Sequence, residues 1–100
     1  MEYIDGNYQD TSLSLNSVSK ALAISTSYFS ALFKAQTGET FIEALTKVRL
    51  ERAKQLLCTT ELKSYEIAEK VGYSDAHYFG SIFKRNEGMT PKEYAKRNKI

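Results

Sequence analysis

The sequence predicts an all-α protein of about seven short helices, and three observations carry that prediction. Apolar residues recur at intervals of three and four, which gathers them on one side of a helix. Helix-capping residues stand before most of these periodic stretches, twice with a glutamate three residues further on. The third observation is a stretch written twice: "YFSALFKAQTG" from Tyr28 and "YFGSIFKRNEG" from Tyr78.

Taken in order, the first element begins at Glu2 in "EYIDGNY", with no cap upstream, and reads as a helix that has been cut into, so the chain is expected to be a fragment of something longer. Ser14 caps the second, with Leu15, Val18 and Leu22 at helical spacing behind it, and Ser25 starts the third. Thr40 and Glu43 stand at capping-box spacing at the head of the longest element, in which Thr46, Leu50, Ala53 and Leu57 follow a 4, 3, 4 rhythm. Phe41, Ala44, Leu45 and Val48 put apolar surface on its other sides, so it must have more than one neighbour. At 1.5 Å per residue it is about 25 Å long, enough to act as a rigid spacer between two small bodies. Ser64 opens a fifth helix that stops at Gly72, and Asp75 opens a sixth. Thr90, Pro91 and Glu93 are the N-cap, first helical residue and capping-box partner of the seventh. Nothing in the alternation reads as a strand.

Composition narrows the chemistry. The hundred residues, 42% of them apolar, suit one compact domain or two very small ones leaning on each other. A net charge of +2 is unevenly spread: residues 1 to 50 hold four Lys/Arg against five Asp/Glu, residues 51 to 100 ten against seven. That permits a polyanionic partner without requiring one. Cys58 and His77 are each the only residue of their kind, so Cys-rich or multi-His zinc sites and Ser-His-Asp catalysis have little to draw on, and no cofactor is expected. No apolar run reaches the roughly 20 residues of a membrane span, and no signal peptide is evident. A cytoplasmic protein is expected.

Each repeated stretch, with the short helix before it, has the outline of a helix-turn-helix; upstream, Val18 precedes Tyr28 by ten residues and Ile67 precedes Tyr78 by eleven, so the two turns differ by one residue. Aligning the repeats pairs Phe29 with Phe79, Phe33 with Phe83, Lys34 with Lys84 and Gly38 with Gly88, and Phe41 only loosely with Tyr94. Phe29, Leu32 and Phe33 share one side, as do Phe79, Ile82 and Phe83, and these are expected to pack inward. The opposite strips are Ser27, Ser30, Ala31 and Lys34, and His77, Gly80, Ser81 and Lys84. Small polar groups on a strip ending in lysine suit close approach to DNA, where base edges need short donors and acceptors and phosphates need a cation. Ser25 and Thr26, and Ser74 and Ala76, at the helix starts, and Arg85 beside Lys84, complete the candidate contact set. Backbone amides at the helix starts are expected to be able to face a phosphate. Gly80 costs a helix interior roughly 1 kcal/mol relative to alanine, and letting the backbone approach a groove floor would compensate.

The stretch from Ile67 to Tyr94 carries I-A, V-G-Y, Y-F, F-K, G and T-P-x-x-Y in that order, and in these motifs the chain resembles the second helix-turn-helix of the AraC/XylS family of transcription regulators. The first half, through the Arg49-Leu50 pair and Ala53, resembles that family's first recognition helix and linker helix, and the resemblance runs from about Tyr3 to Arg97. It implies two helix-turn-helix subdomains, residues 1–39 and 59–100, joined by a linker helix over 40–58. It also implies two recognition helices in successive major grooves, about 34 Å apart. Double-stranded DNA and RNA polymerase are the implied partners, with a sensing or receiver domain on the N-terminal side and a role in bacterial transcription, chiefly activation. Two departures stand out. Where the family commonly has an arginine after Y-[FL]-S, this chain has Ala31 and Ser81, which removes the side chain that most often pairs with guanine. The first turn has no glycine matching Gly72, and Ser19 stands where the second unit has Ala68. The reading from another class is a helical protein-interaction module docking through the same strips.

Overall fold

The computed structural model describes residues 8–10 and 13–99, and the helix expected at Glu2 lies outside them. The described residues form six helices and no strand: α1 (Leu15–Ala21), α2 (Thr26–Thr37), α3 (Phe41–Thr59), α4 (Ser64–Lys70), α5 (Ala76–Glu87) and α6 (Pro91–Asn98). The body is elongated, 43 × 22 × 22 Å, with the 19-residue α3 as its longest element.

The caps stand where the residue chemistry puts them. Ser14, Ser25, Thr40, Asp75 and Thr90 each accept hydrogen bonds from amides two or three residues on, satisfying donors that a helix start leaves open. Glu43 and Glu93 reach back to the amides of Thr40 and Thr90, both at 2.9 Å. These bonds hold both carboxyls below the ordinary glutamate value, so the two boxes are formed at neutral pH and are lost as the pH falls through the lowered values. α4 begins after Lys63, whose amide donates to Glu66, so Ser64 is its first residue and not its cap.

Two apolar clusters lie along α3. Phe41, Ala44 and Leu45 at its start join Leu13, Val18 and Phe33, while Leu50, Ala53 and Leu57 further on join Ile67, Val71, Phe79 and Phe83. The helix read as a spacer therefore supplies part of both cores. Matching aromatic trios anchor α2 and α5. Phe29–Phe33 and Phe79–Phe83 have centroids 5.9 and 5.8 Å apart, and Phe33–Phe41 and Phe83–Tyr94 both meet edge-on at 5.6 Å. Phe41 and Tyr94 thus do the same packing from positions three residues out of register, because the true repeat continues as Thr40–Glu43 and Thr90–Glu93.

The two units differ in finish. Ile82 is 9% exposed and belongs to the second cluster, whereas Leu32, its counterpart and expected to be inward, is 39% exposed. Leu22, also expected inward, is exposed, while Val18 is buried. The turns share one hydrogen-bond pattern: Ala23 and Ile24 donate to Lys20 and Ser19, and Gly72 and Tyr73 to Glu69 and Ala68. This arrangement requires a left-handed residue one past the cap. Gly72 supplies it at φ 105°, and Ala23 is forced to 58°. The extra residue of the second turn is Ser74, so α5 starts one position later than α2 relative to its turn.

Gly72 has a second reason to be glycine, since an added Cβ would lie 2.2 Å from the Tyr8 carbonyl and 2.7 Å from Arg49 Nε. Arg49, buried in mid-α3, donates from Nε to Tyr8 O at 2.8 Å and from Nη2 to Asp10 O at 2.9 Å, and its guanidinium lies 5.0 Å from the centre of the Tyr73 ring. Burial pulls its pKa down and the neighbouring Tyr73 pushes it back up, and guanidinium stays charged throughout. The reciprocal substitutions in the two turns should therefore have opposite signs. Ala23→Gly is expected to raise stability by up to about 1 kcal/mol by relieving the left-handed alanine. Gly72→Ala should lower it by at least about 2 kcal/mol. Urea unfolding of both variants checks this.

Candidate nucleic-acid interface

The buried apolar residues of α2 and α5 fix which side of each helix points outward. With Phe33 buried on one helix and Phe79, Ile82 and Phe83 on the other, the opposite sides are left to solvent. Ser27, Ala31 and Lys34 are exposed on α2, as are His77, Ser81, Lys84 and Arg85 on α5, and Ser30 and Gly80 are half-buried in the middle of their strips. The residues read as two polar strips thus form two accessible surfaces. Thr26 is half-buried at the start of α2, and Ser74 and Ala76 are exposed around the start of α5.

The helix starts differ chemically. Ser25 Oγ accepts from the Tyr28 amide at 3.1 Å, and a hydroxyl in that role still has a proton to donate. Asp75 Oδ1 accepts from the amides of His77 and Tyr78 at 2.8 and 3.2 Å. A carboxylate can only accept, so the α5 start is less suited to a phosphate than the α2 start, as the Asp75 carboxylate in the sequence leads one to expect, and the two amides that would face the anion are already taken.

The strips end on equivalent electrostatics. Lys34 lies close enough to the capping-box Glu43 to lower its pKa further, and Lys84 does the same to Glu93. Neither pair is in ion-pair contact, so each lysine remains available to a second anion. Gly80 has nothing within 4 Å of where a Cβ would stand, so no packing inside the protein requires glycine there. Tyr28 and Tyr78, on which sequence reasoning made no assignment, are 60% and 56% exposed, each one residue on from the first member of its strip, Ser27 or His77.

Among the described residues, no group of three or more His, Cys, Asp or Glu is placed to hold a metal ion, and no helix is long and apolar enough to cross a membrane. Cys58 is half-buried near the end of α3 beside Tyr94. Two capped helix pairs, each presenting the outer strip of its second helix, define a helix-turn-helix protein.

A family profile described as "Helix-turn-helix domain" matches residues 18–97. The chain belongs to the AraC/XylS family of DNA-binding transcription regulators. Its structure is similar to the C-terminal domain of AraT, a response regulator from Geobacillus stearothermophilus, at a TM-score of 0.96 and 41% identity, covering 99% of this chain and 82% of that one. In sequence it is 37% identical over 94 residues to the xylose operon regulatory protein of Escherichia coli K12, covering 94% of this chain and 24% of that protein. It is also 37% identical over 97 residues to the transcriptional activator Btr of Bacillus subtilis, covering 97% of this chain and 18% of that protein. The chain thus spans about a quarter or less of the length of these two curated relatives.

Gly80→Ala is expected to raise stability by roughly 1 kcal/mol, since the helix gains and nothing clashes. The same variant should weaken duplex binding several-fold. Urea unfolding and a fluorescence-anisotropy titration on one preparation separate the two effects.

Proposed function

We propose that this chain reads a specific double-stranded DNA site as a monomer, with α2 and α5 in successive major-groove segments on one face of the duplex. The observation that carries the reading is the pair of exposed strips, Ser27–Ser30–Ala31–Lys34 and His77–Gly80–Ser81–Lys84, on helices held by matching aromatic anchors. Residues 1–39 and 59–100 act as two reading subdomains, and the helix over 40–58 fixes their spacing at about one turn of DNA, 34 Å. Ser25, Thr26, Ser74, Ala76 and Arg85 flank the strips and contact backbone or base edges. The absence of arginine at Ala31 and Ser81 shifts readout toward His77, the serines and groove shape.

The protein acts in the bacterial cytoplasm as a transcription regulator, chiefly an activator, engaging RNA polymerase and controlled by a sensing or receiver domain on its N-terminal side. Support for activation comes from the name of the Bacillus subtilis relative, and support for a receiver domain from AraT being a response regulator.

Selection of binding sites from random duplex DNA at near-physiological salt tests the reading. Two enriched blocks about one turn apart are expected. Salt-insensitive behaviour with no enrichment would favour a helical protein-interaction module. On the enriched site, Lys84→Ala should weaken binding to all sequences and reduce the salt slope by about one. His77→Ala should instead alter preference at one or two base positions, read by repeating the selection.

A further inference from the structure

A groove of about 410 Å³ lies between the second half of α3 and the end of α4, beside the segment that precedes α1. Tyr8, Leu56 and Leu62 form its apolar part, all three half-buried and packed against the second cluster. Arg52 of α3 and Lys70, the last residue of α4, line it as exposed cations. None of its lining belongs to α2 or α5, so a molecule held here leaves both outer strips open.

Its charge has one sign. No carboxylate among the described residues lines it, and the acids on the elements around it are engaged elsewhere or stand outside. Glu51 pairs with Lys54 at 3.0 Å, Glu61 with Lys99 at 3.3 Å, and Glu66 accepts from the Lys63 amide at 2.8 Å. Asp10 and Glu69 are exposed and are not part of the lining. Arg52 and Lys70 are in no ion pair among the described residues, and Arg52 Nη1 donates to the neutral Gln55 Oε1 at 2.9 Å. The groove therefore carries two cations that no salt bridge within the chain neutralises.

We propose that this groove docks an acidic segment of a partner protein in which apolar side chains stand between carboxylates. Arg52 and Lys70 pair with the carboxylates, and Tyr8, Leu56 and Leu62 receive the apolar residues. Charge complementarity carries the choice of partner, since two unpaired cations with no acid among them call for an anion. The apolar part calls for an anion that brings apolar surface of its own. A DNA backbone supplies phosphates but nothing apolar to cover Leu56 and Leu62. A protein segment with Glu or Asp on either side of Leu or Phe supplies both. Docking here does not require duplex binding, and because the groove lies off α2 and α5 it is compatible with it.

Selection of short peptides from a random display library on the full chain, at near-physiological salt, tests the assignment. Enrichment of acidic residues flanking apolar ones is expected. A fluorescently labelled copy of an enriched peptide should bind the Arg52→Gln/Lys70→Gln double variant about tenfold or more weakly than the wild type, and its wild-type affinity should fall as salt rises. The exchange Arg52→Lys/Lys70→Arg should keep binding, and serine in place of the peptide's apolar residues should abolish it. The glutamine variant should melt within a few degrees of the wild type and keep its duplex affinity, since both side chains are exposed. Peptides without acidic bias, peptides that bind the glutamine variant as tightly as the wild type, or no enrichment at all overturn the assignment. A glutamine variant that loses duplex affinity in step with peptide affinity makes Arg52 and Lys70 DNA contacts and overturns it as well.

Discussion

The buried guanidinium of Arg49 is the constraint on which the relation between the two halves depends. A charge in that position requires its hydrogen bonds satisfied, and the carbonyls of Tyr8 and Asp10 satisfy two of them at 2.8 and 2.9 Å. Its planar face lies against Tyr73, which is itself one residue past the left-handed Gly72. The segment before α1, the middle of α3 and the turn that launches α5 therefore meet at one side chain. There is no room at that point for a Cβ on Gly72, so the turn is fixed both sterically and through its backbone angles.

From that junction the rest follows by packing. α3 gives its first turns to one cluster and its later turns to the other, which is why its apolar residues are spread around its circumference. Such a helix cannot rotate or bend without opening a core, and the distance between the two outer strips is set by its length. The units it joins share caps, turn hydrogen bonds and aromatic trios, yet are not equally finished. The second unit has a glycine in its turn and buries Ile82, while the first holds Ala23 in a left-handed conformation and leaves Leu32 partly in solvent.

The same asymmetry bears on function. α5 carries the imidazole, the glycine and two basic residues, and it shares a cleft with α3. α2 carries serines, an alanine and one lysine. Within the membership of a DNA-binding regulator family, this places the richer chemistry on the better-packed unit.

The sequence by itself determined the local structure. Side-chain caps and three-four periodicity act over one or two turns, so Ser14, Ser25, Thr40, Asp75 and Thr90 could be placed from their neighbours alone. The two strips were legible for the same reason, since a helix's outer face follows from its inner one. Only the tertiary structure decided what depends on contacts between distant residues: the burial of Arg49 under Tyr8 and Asp10, the pairing of Phe41 with Tyr94 as equivalent anchors out of register, and the exposure of Leu32. The cleft between α3 and α5 belongs to this second group, because its walls come from helices that are not consecutive in the chain and neither wall alone marks it. Local chemistry fixes where a helix starts and which side is apolar, but what covers that side is settled only when the chain closes on itself.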